Sequence, residues 1–277
     1  MLRAMPFTFL SHQAAVVPLK MARPRWFSGT ALAVGSMAPD LEYFLRGQPL
    51  SAYGHIVRGQ FTFCLPITLV VTWLITRVVA RALGPALPDL GDLHLRDYQL
   101  AGARADTAWY WAAAVWSALI GSFSHLWWDG FTHDYGAGVQ RFEILQRSLG
   151  SVGGYTLYIY KILQHSSTIL GAALTLLALL AIGRRRSLVR WASLRADTAL
   201  PHAAPAESRR FWGWCMVAAL ASAGAGAALA GGVAPWPSPW WWVAASFRAV
   251  VFGFAGLCVI CALSPSARAV TVRAPAA

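Results

Sequence analysis

Tyr155–Ile182 reads YTLYIYKILQHSSTILGAALTLLALLAI. From Ile169 onward it carries no charge. About 20 apolar residues suffice to cross the hydrocarbon core of a bilayer as a helix. Lipid gives an open backbone nothing to hydrogen-bond with, so such a run has to be helical. Four further runs share the pattern: Phe61–Ala80, Thr107–Trp128, Phe211–Val233 and Trp240–Leu263. A shorter run, Gly29–Pro39, pairs with Pro6–Leu19 as half of a hairpin. The expectation is an all-α fold, a polytopic transmembrane helical bundle of about five to six membrane segments.

Composition agrees. The chain is 57% hydrophobic and only 12% charged, where soluble domains carry about 25% charged residues. The net charge of +12 does not imply a nucleic-acid partner, because Lys and Arg sit between the apolar runs, where they set membrane orientation. All four cysteines lie inside apolar segments. Cys258 and Cys261 form a C-x-x-C with no second pair and no polar neighbours, which reads as core packing. There is no phosphate-binding glycine loop, so no nucleotide is expected, and no nucleophile elbow for serine hydrolysis. No cleavable signal is expected, since the first apolar stretch lacks a small-residue cleavage site and contains His12. Met5 is a candidate start, with Met1–Ala4 an upstream extension.

Three regions follow: a membrane domain over residues 1–183, a basic loop over 184–210, and a C-terminal helical hairpin with a short tail over 211–277. The loop Gly183–Arg210 holds Arg184, Arg185, Arg186, Arg190, Arg195, Arg209 and Arg210, which places it in the cytoplasm. Arg81–Asp106 and the tail with Arg268 and Arg273 join it there. The uncharged turn Ala234–Pro239 leads into Trp240, Trp241 and Trp242, an aromatic belt of the outer interface. Asp40–Gln60 and Asp129–Gly154 then face outside.

Those two loops hold most of the chain's metal-capable side chains. In Ser124-His125-Leu-Trp-Trp-Asp129-Gly-Phe-Thr-His133-Asp134, His125 and Asp129 are spaced i, i+4 and share one helix face. His133 continues that face if the helix survives Gly130. Imidazoles and a carboxylate converging on one side are ordinary ligands of zinc, manganese or iron. Further pieces are Pro39-Asp40-Leu-Glu42 at a helix end, His55 in Tyr53-Gly54-His55, and the polar run Gln164-His165-Ser166-Ser167-Thr168 opening an apolar helix. Each has a plainer reading, as an interface residue or as helix-packing glue. Their concentration on one side of the membrane favours a shared polar site.

Four segments carry a resemblance: Pro6-Phe-Thr-Phe-Leu-Ser-His12, Gly35-Ser-Met-Ala-Pro39-Asp40-Leu-Glu42-Tyr-Phe, Ser124-His125-Leu-Trp-Trp-Asp129-Gly-Phe-Thr-His133 and Leu163-Gln-His165-Ser-Ser-Thr168. Over roughly Met5–Gly183 the chain resembles a family of bacterial membrane proteins known only as a domain of unknown function. More distantly, the layout is similar to that of predicted membrane-bound metal-dependent hydrolases of bacterial inner membranes. That resemblance implies His12, Asp40, His55, His125, Asp129 and His133 as metal ligands. It departs at Glu42, which stands where the hydrolase pattern has a second Asp, with no His following.

Two functions stay open. One is a hydrolase in the bacterial inner membrane, its C-terminus cytoplasmic, using a divalent metal ion (zinc or manganese) on a lipid or lipid-linked ester or phosphoester at the outer side. Asp134, Glu42 or His165 would then serve as general base or orienting residue, with Lys161 and Arg141 as nearby cations for a phosphate. The alternative is a non-enzymatic membrane protein that moves an ion or proton, or assembles others, through the same cluster. A conduction path wants polar residues on the inner half of the spans, and the sequence offers few.

Overall fold

The computed structural model describes residues 9–48, 50–88, 90–195 and 197–265. Among them the chain is helical apart from connecting loops and one two-stranded sheet. The principal helices are α1 (Phe9–Gln13), α2 (Val17–Ala22), α3 (Gly29–Arg46), α4 (Val57–Ala86), α5 (Ala108–Thr132), α6 (Ile159–Arg184), α7 (Pro205–Ala230) and α8 (Pro239–Leu263). The fold is an all-α membrane bundle. Helices α4, α6, α7 and α8 are each long and apolar enough to cross a bilayer. Leu170, Leu174 and Leu177 of α6 and Val217 and Leu220 of α7 stand exposed, an apolar surface suited to lipid and not to water.

The pairing of α3 and α5 organises the rest. Ser28 caps α3 through the Ala31 N–H at 3.3 Å, and Thr107 caps α5 through the Tyr110 N–H at 3.2 Å. The two starts are tied together: the Ser28 N–H donates to Ser117 Oγ at 3.0 Å, and Ser28 Oγ meets Tyr110 Oη at 3.1 Å. Farther along, His125 reaches the Ser36 carbonyl, so the helices run parallel and end together. Glycine permits the approach. A Cβ on Gly35 would stand 2.5 Å from the Ala118 carbonyl oxygen, and one on Gly121 would stand 2.6 Å from that of Leu32. Small residues let helix backbones meet where no hydrophobic force drives them together.

Other helices complete the bundle. Helix α1 lies across α6, where a Cβ on Gly171 would strike the Ser11 carbonyl at 2.7 Å and Thr175 Oγ1 donates to the Leu10 carbonyl at 2.7 Å. Helices α7 and α8 form an antiparallel hairpin in which Gly226 packs on the backbone of Ala245. Cys261 is buried with Val79, Ala82 and Phe211, in line with the packing role read from its apolar segment. At the basic end, Asp97 takes two bonds from Arg186, and Arg77 pairs with Asp106.

Several boundaries differ from the sequence expectation. Helix α3 continues through Pro39 to Arg46 instead of stopping there, because its far end is held by packing and by a Gly47 cap at φ 62°. Tyr155–Tyr158 is a strand, β2, paired antiparallel with β1 (Ser148–Val152), and α6 starts only at Ile159. Helix α4 extends beyond Phe61–Ala80 at both ends and contains wide turns at Gln60–Cys64 and Ile75–Val79. The first precedes Pro66, which has no N–H to continue the ladder. The Pro6–Thr8 start of the first run and the tail with Arg268 and Arg273 lie outside the described residues.

If the α3–α5 contact organises the bundle, Gly35→Ala and Gly121→Ala should each lower the melting temperature in detergent, at a cost of about 1–3 kcal/mol from overpacking. Gly130→Ala is the control, because a Cβ there meets nothing within 4 Å. It should leave the melting temperature unchanged or slightly raised. Equal effects at all three positions would contradict the contact.

Candidate metal centre

The parallel pairing brings the ends of α3 and α5 side by side. Asp40 lies near the end of one, and His125 and Asp129 lie near the end of the other. The loop after α3 delivers His55, and α1 delivers His12. His125 Nε2 stands 3.2 Å from Asp129 Oδ2 and 3.6 Å from Asp40 Oδ1. His55 Nε2 stands 3.4 Å from Asp40 Oδ1 and 3.7 Å from Asp129 Oδ2. His12 stacks on His125 with ring centroids 3.9 Å apart, and its Nε2 is 3.9 Å from Asp129 Oδ1. Two ligand triads therefore share His125: His12–His125–Asp129 and Asp40–His55–His125.

Hydrogen bonds fix which nitrogens face inward. His125 Nδ1 lies 2.8 Å from the Ser36 carbonyl. A carbonyl only accepts, so Nδ1 carries a proton and Nε2 is the nitrogen that faces the carboxylates. That Nε2 is buried and has no hydrogen-bond partner. Its neighbours are the Asp129 and Asp40 carboxylates, at 3.2 and 3.6 Å. Ser51 Oγ donates to Glu42 Oε2 at 2.8 Å, which uses its one proton. The same hydroxyl is 3.1 Å from His55 Nδ1 and so accepts from it. His55 Nε2 is thereby turned to the cluster in the same way.

The spacing suits a metal ion. Bonds of about 2.0–2.1 Å around a tetrahedral ion place neighbouring donors roughly 3.3 Å apart. Four of the six donor pairs among His55, His125, Asp40 and Asp129, the histidine–aspartate ones, measure 3.2–3.7 Å. A mixed imidazole and carboxylate set fits zinc or manganese.

The remaining expected residues fall around this core. His133 follows the end of α5, with Nδ1 3.7 Å from Asp129 Oδ1. Its Nε2 is 2.9 Å from Gln164 Nε2, and Lys161 Nζ donates to Gln164 Oε1 at 3.2 Å. The Gln164 amide thus donates to His133 Nε2, and His133 borders the centre through Asp129 without joining either triad. Partial burial, opposed by Asp129 and aided by Lys161, holds His133 below the ordinary imidazole pKa. Glu42 is buried, and its oxygens accept from Arg46 Nε, Ser51 Oγ and the N–H groups of Ala52, Tyr53 and Gly54 at 2.7–2.9 Å. Burial alone would raise its pKa, but these donors outweigh it and keep the carboxyl well below its usual range. Asp134 and His165 are exposed, and so is Arg141. Gly54 has to be glycine, because a Cβ there would stand 2.3 Å from the Pro39 carbonyl oxygen.

Sequence reasoning did not find Ser51 as the link between Glu42 and His55, nor the Ser36 carbonyl as the anchor of His125. A serine four residues before a histidine is too common to stand out, and a carbonyl leaves no mark in sequence.

Fold and site together define an all-α membrane protein with a buried histidine–aspartate cluster. Compared with known families, the chain matches the domain of unknown function DUF4184 over residues 5–266 and belongs to that family. No curated protein and no solved structure matches it.

Because Glu42 clamps the loop that carries His55, Glu42→Ala should free the Ala52, Tyr53 and Gly54 amides. Their hydrogen exchange should accelerate at least about tenfold, the equivalent of one lost charge-assisted bond. Unchanged protection would show that the loop is held by other contacts.

Proposed function

We propose that this chain is a metal-dependent hydrolase of the bacterial inner membrane, with its C-terminus cytoplasmic, acting on a lipid or lipid-linked ester or phosphoester at the outer side. The observation that carries the reading is the buried Nε2 of His125, placed between two carboxylates and next to two further imidazoles. The resemblance to predicted membrane-bound metal-dependent hydrolases points the same way.

His12, His55, His125, Asp40 and Asp129 would hold the ion. A divalent ion held there would supply a Lewis acid and lower the pKa of a coordinated water. The surrounding residues have separate work. The Ser36 carbonyl and the Glu42–Ser51 pair fix the imidazole tautomers, as the outer partners of metal-binding histidines do. His133 steadies Asp129 from the side, with Gln164 and Lys161 behind it. The exposed indole of Trp127, 65% accessible, adds an aromatic surface on the helix that carries His125 and Asp129.

A second reading has its own observation. Gln60, Cys64, Thr68, Thr72 and Thr76 form a fully buried i, i+4 stripe along α4, from the His55 loop toward the basic end. The hydroxyls of Thr68 and Thr72 have no hydrogen-bond partner. Such a stripe is the material of an ion or proton path, and it supplies the inner-half polarity that looked sparse in sequence.

Purification in detergent without chelator should yield near-stoichiometric zinc or manganese. His125→Ala and Asp129→Ala should each lose at least about nine-tenths of it, since even outer-shell changes cost 10–100-fold in affinity. Folded wild type that holds no metal and cannot be loaded would end the hydrolase reading. Metal held without turnover on lipid esters and phosphoesters, together with proton flux across vesicles, would select the second reading.

A further inference from the structure

A cavity of about 630 Å³ lies away from the metal centre, and none of the five cluster residues lines it. Its body is apolar, walled by Val34 and Leu41 of α3, Val71 and Ile75 of α4, and Val250 and Phe254 of α8. Along α3 it reaches from Thr30 to Leu45, about 22 Å of helix. One leaflet of a hydrocarbon core is about 15 Å deep. The cavity therefore has the length and the lining of a site for an acyl chain.

Its other end is cationic. Lys20, Arg25 and Arg104 line the cavity where α3 begins, beside the aromatic rings of Trp109, Tyr110 and Trp191. Lys20 Nζ lies over the Trp191 ring and donates to the carbonyls of Pro24 and Phe27 at 2.6 and 2.9 Å. The side chains of Arg25 and Arg104 make no ion pair among the described residues. Asp97 pairs with Arg186 and Asp106 with Arg77. Lys20 and Arg104 lie close enough to repel one another. Burial, and then Arg104, draw the Lys20 ammonium down to about 8.

We infer that this cavity binds a phospholipid with an anionic headgroup, its phosphate on Arg25 and Arg104 beside Lys20 and an acyl chain along α3 between α4 and α8. Charge complementarity selects the headgroup, since Arg recognises phosphate through a planar fork of donors. The apolar body selects a lipid over a free anion. The aromatic rings at the mouth mark the level at which a headgroup sits. This lipid site is separate from the hydrolase reading and stands or falls without it.

The test uses the full chain in detergent with three probes: fluorescent phosphatidic acid, phosphatidylcholine with the same chains, and inorganic phosphate. Phosphatidic acid should bind saturably and be displaced by neither of the others. Arg25→Gln with Arg104→Gln should weaken it roughly twenty-five-fold, two charges at about fivefold each, while Arg25→Lys with Arg104→Lys retains most of the affinity. Ala33→Trp, which fills the body of the cavity, should abolish binding and leave bound metal and melting temperature near wild type. If that variant unfolds, the Gln pair alone decides. Equal binding of phosphatidylcholine would overturn the proposal in favour of bulk lipid. So would displacement by phosphate, or indifference to the Gln pair.

Discussion

The hydrogen bond from His125 Nδ1 to the Ser36 carbonyl, 2.8 Å long and fully buried, links fold to site. It exists only because α3 and α5 run parallel at close range. It leaves the second ring nitrogen facing two carboxylates. Breaking it would turn the ring and scatter the donor set. Pro39 has no N–H for the Gly35 carbonyl one turn before it, the neighbour of the carbonyl that His125 uses.

The bilayer explains why the arrangement is built this way. Between helices in lipid there is little hydrophobic force, so close packing and hydrogen bonds have to hold them. Gly35 and Gly121 supply the packing, and Ser28, Ser117 and His125 supply the bonds. Helices α7 and α8 repeat the device at Gly226. The same medium makes uncommitted charge expensive, so the ionisable groups are concentrated: the cluster at one end of the bundle, and paired or clustered arginines at the other. Glu42, with five donors around it, is the strongest case of a buried charge fully satisfied, and it delivers His55 as a consequence.

Much of this was legible in the sequence. The apolar runs announced the membrane bundle, and the i, i+4 spacing of His125 and Asp129 placed them on one face, as the structure has them. His12 and Asp40 also lie in the cluster, as a hairpin of their two runs would allow. What failed to show was whatever depends on a partner distant in sequence. Pro39 read as a helix end because a proline usually is one; the packing that carries α3 on to Arg46 has no local sign. Tyr155–Tyr158 read as the start of a span because apolar aromatic residues suit strand and helix alike. The buried stripe from Gln60 to Thr76 was invisible because scattered threonines in a span look like ordinary packing residues until their common face is seen. His133 seemed to continue the face of His125, but its Nε2 is taken by the Gln164 amide and it joins neither triad.

The most direct test of the centre is X-ray absorption spectroscopy of the metal-loaded protein. The account predicts a first shell of nitrogen and oxygen only, at roughly 2.0–2.1 Å, with the outer-shell scattering of two to three imidazoles, diminished by one in His55→Ala and unchanged in His165→Ala. A shell containing sulfur, a shell of water oxygens without imidazole, or a spectrum indifferent to His55 would contradict it.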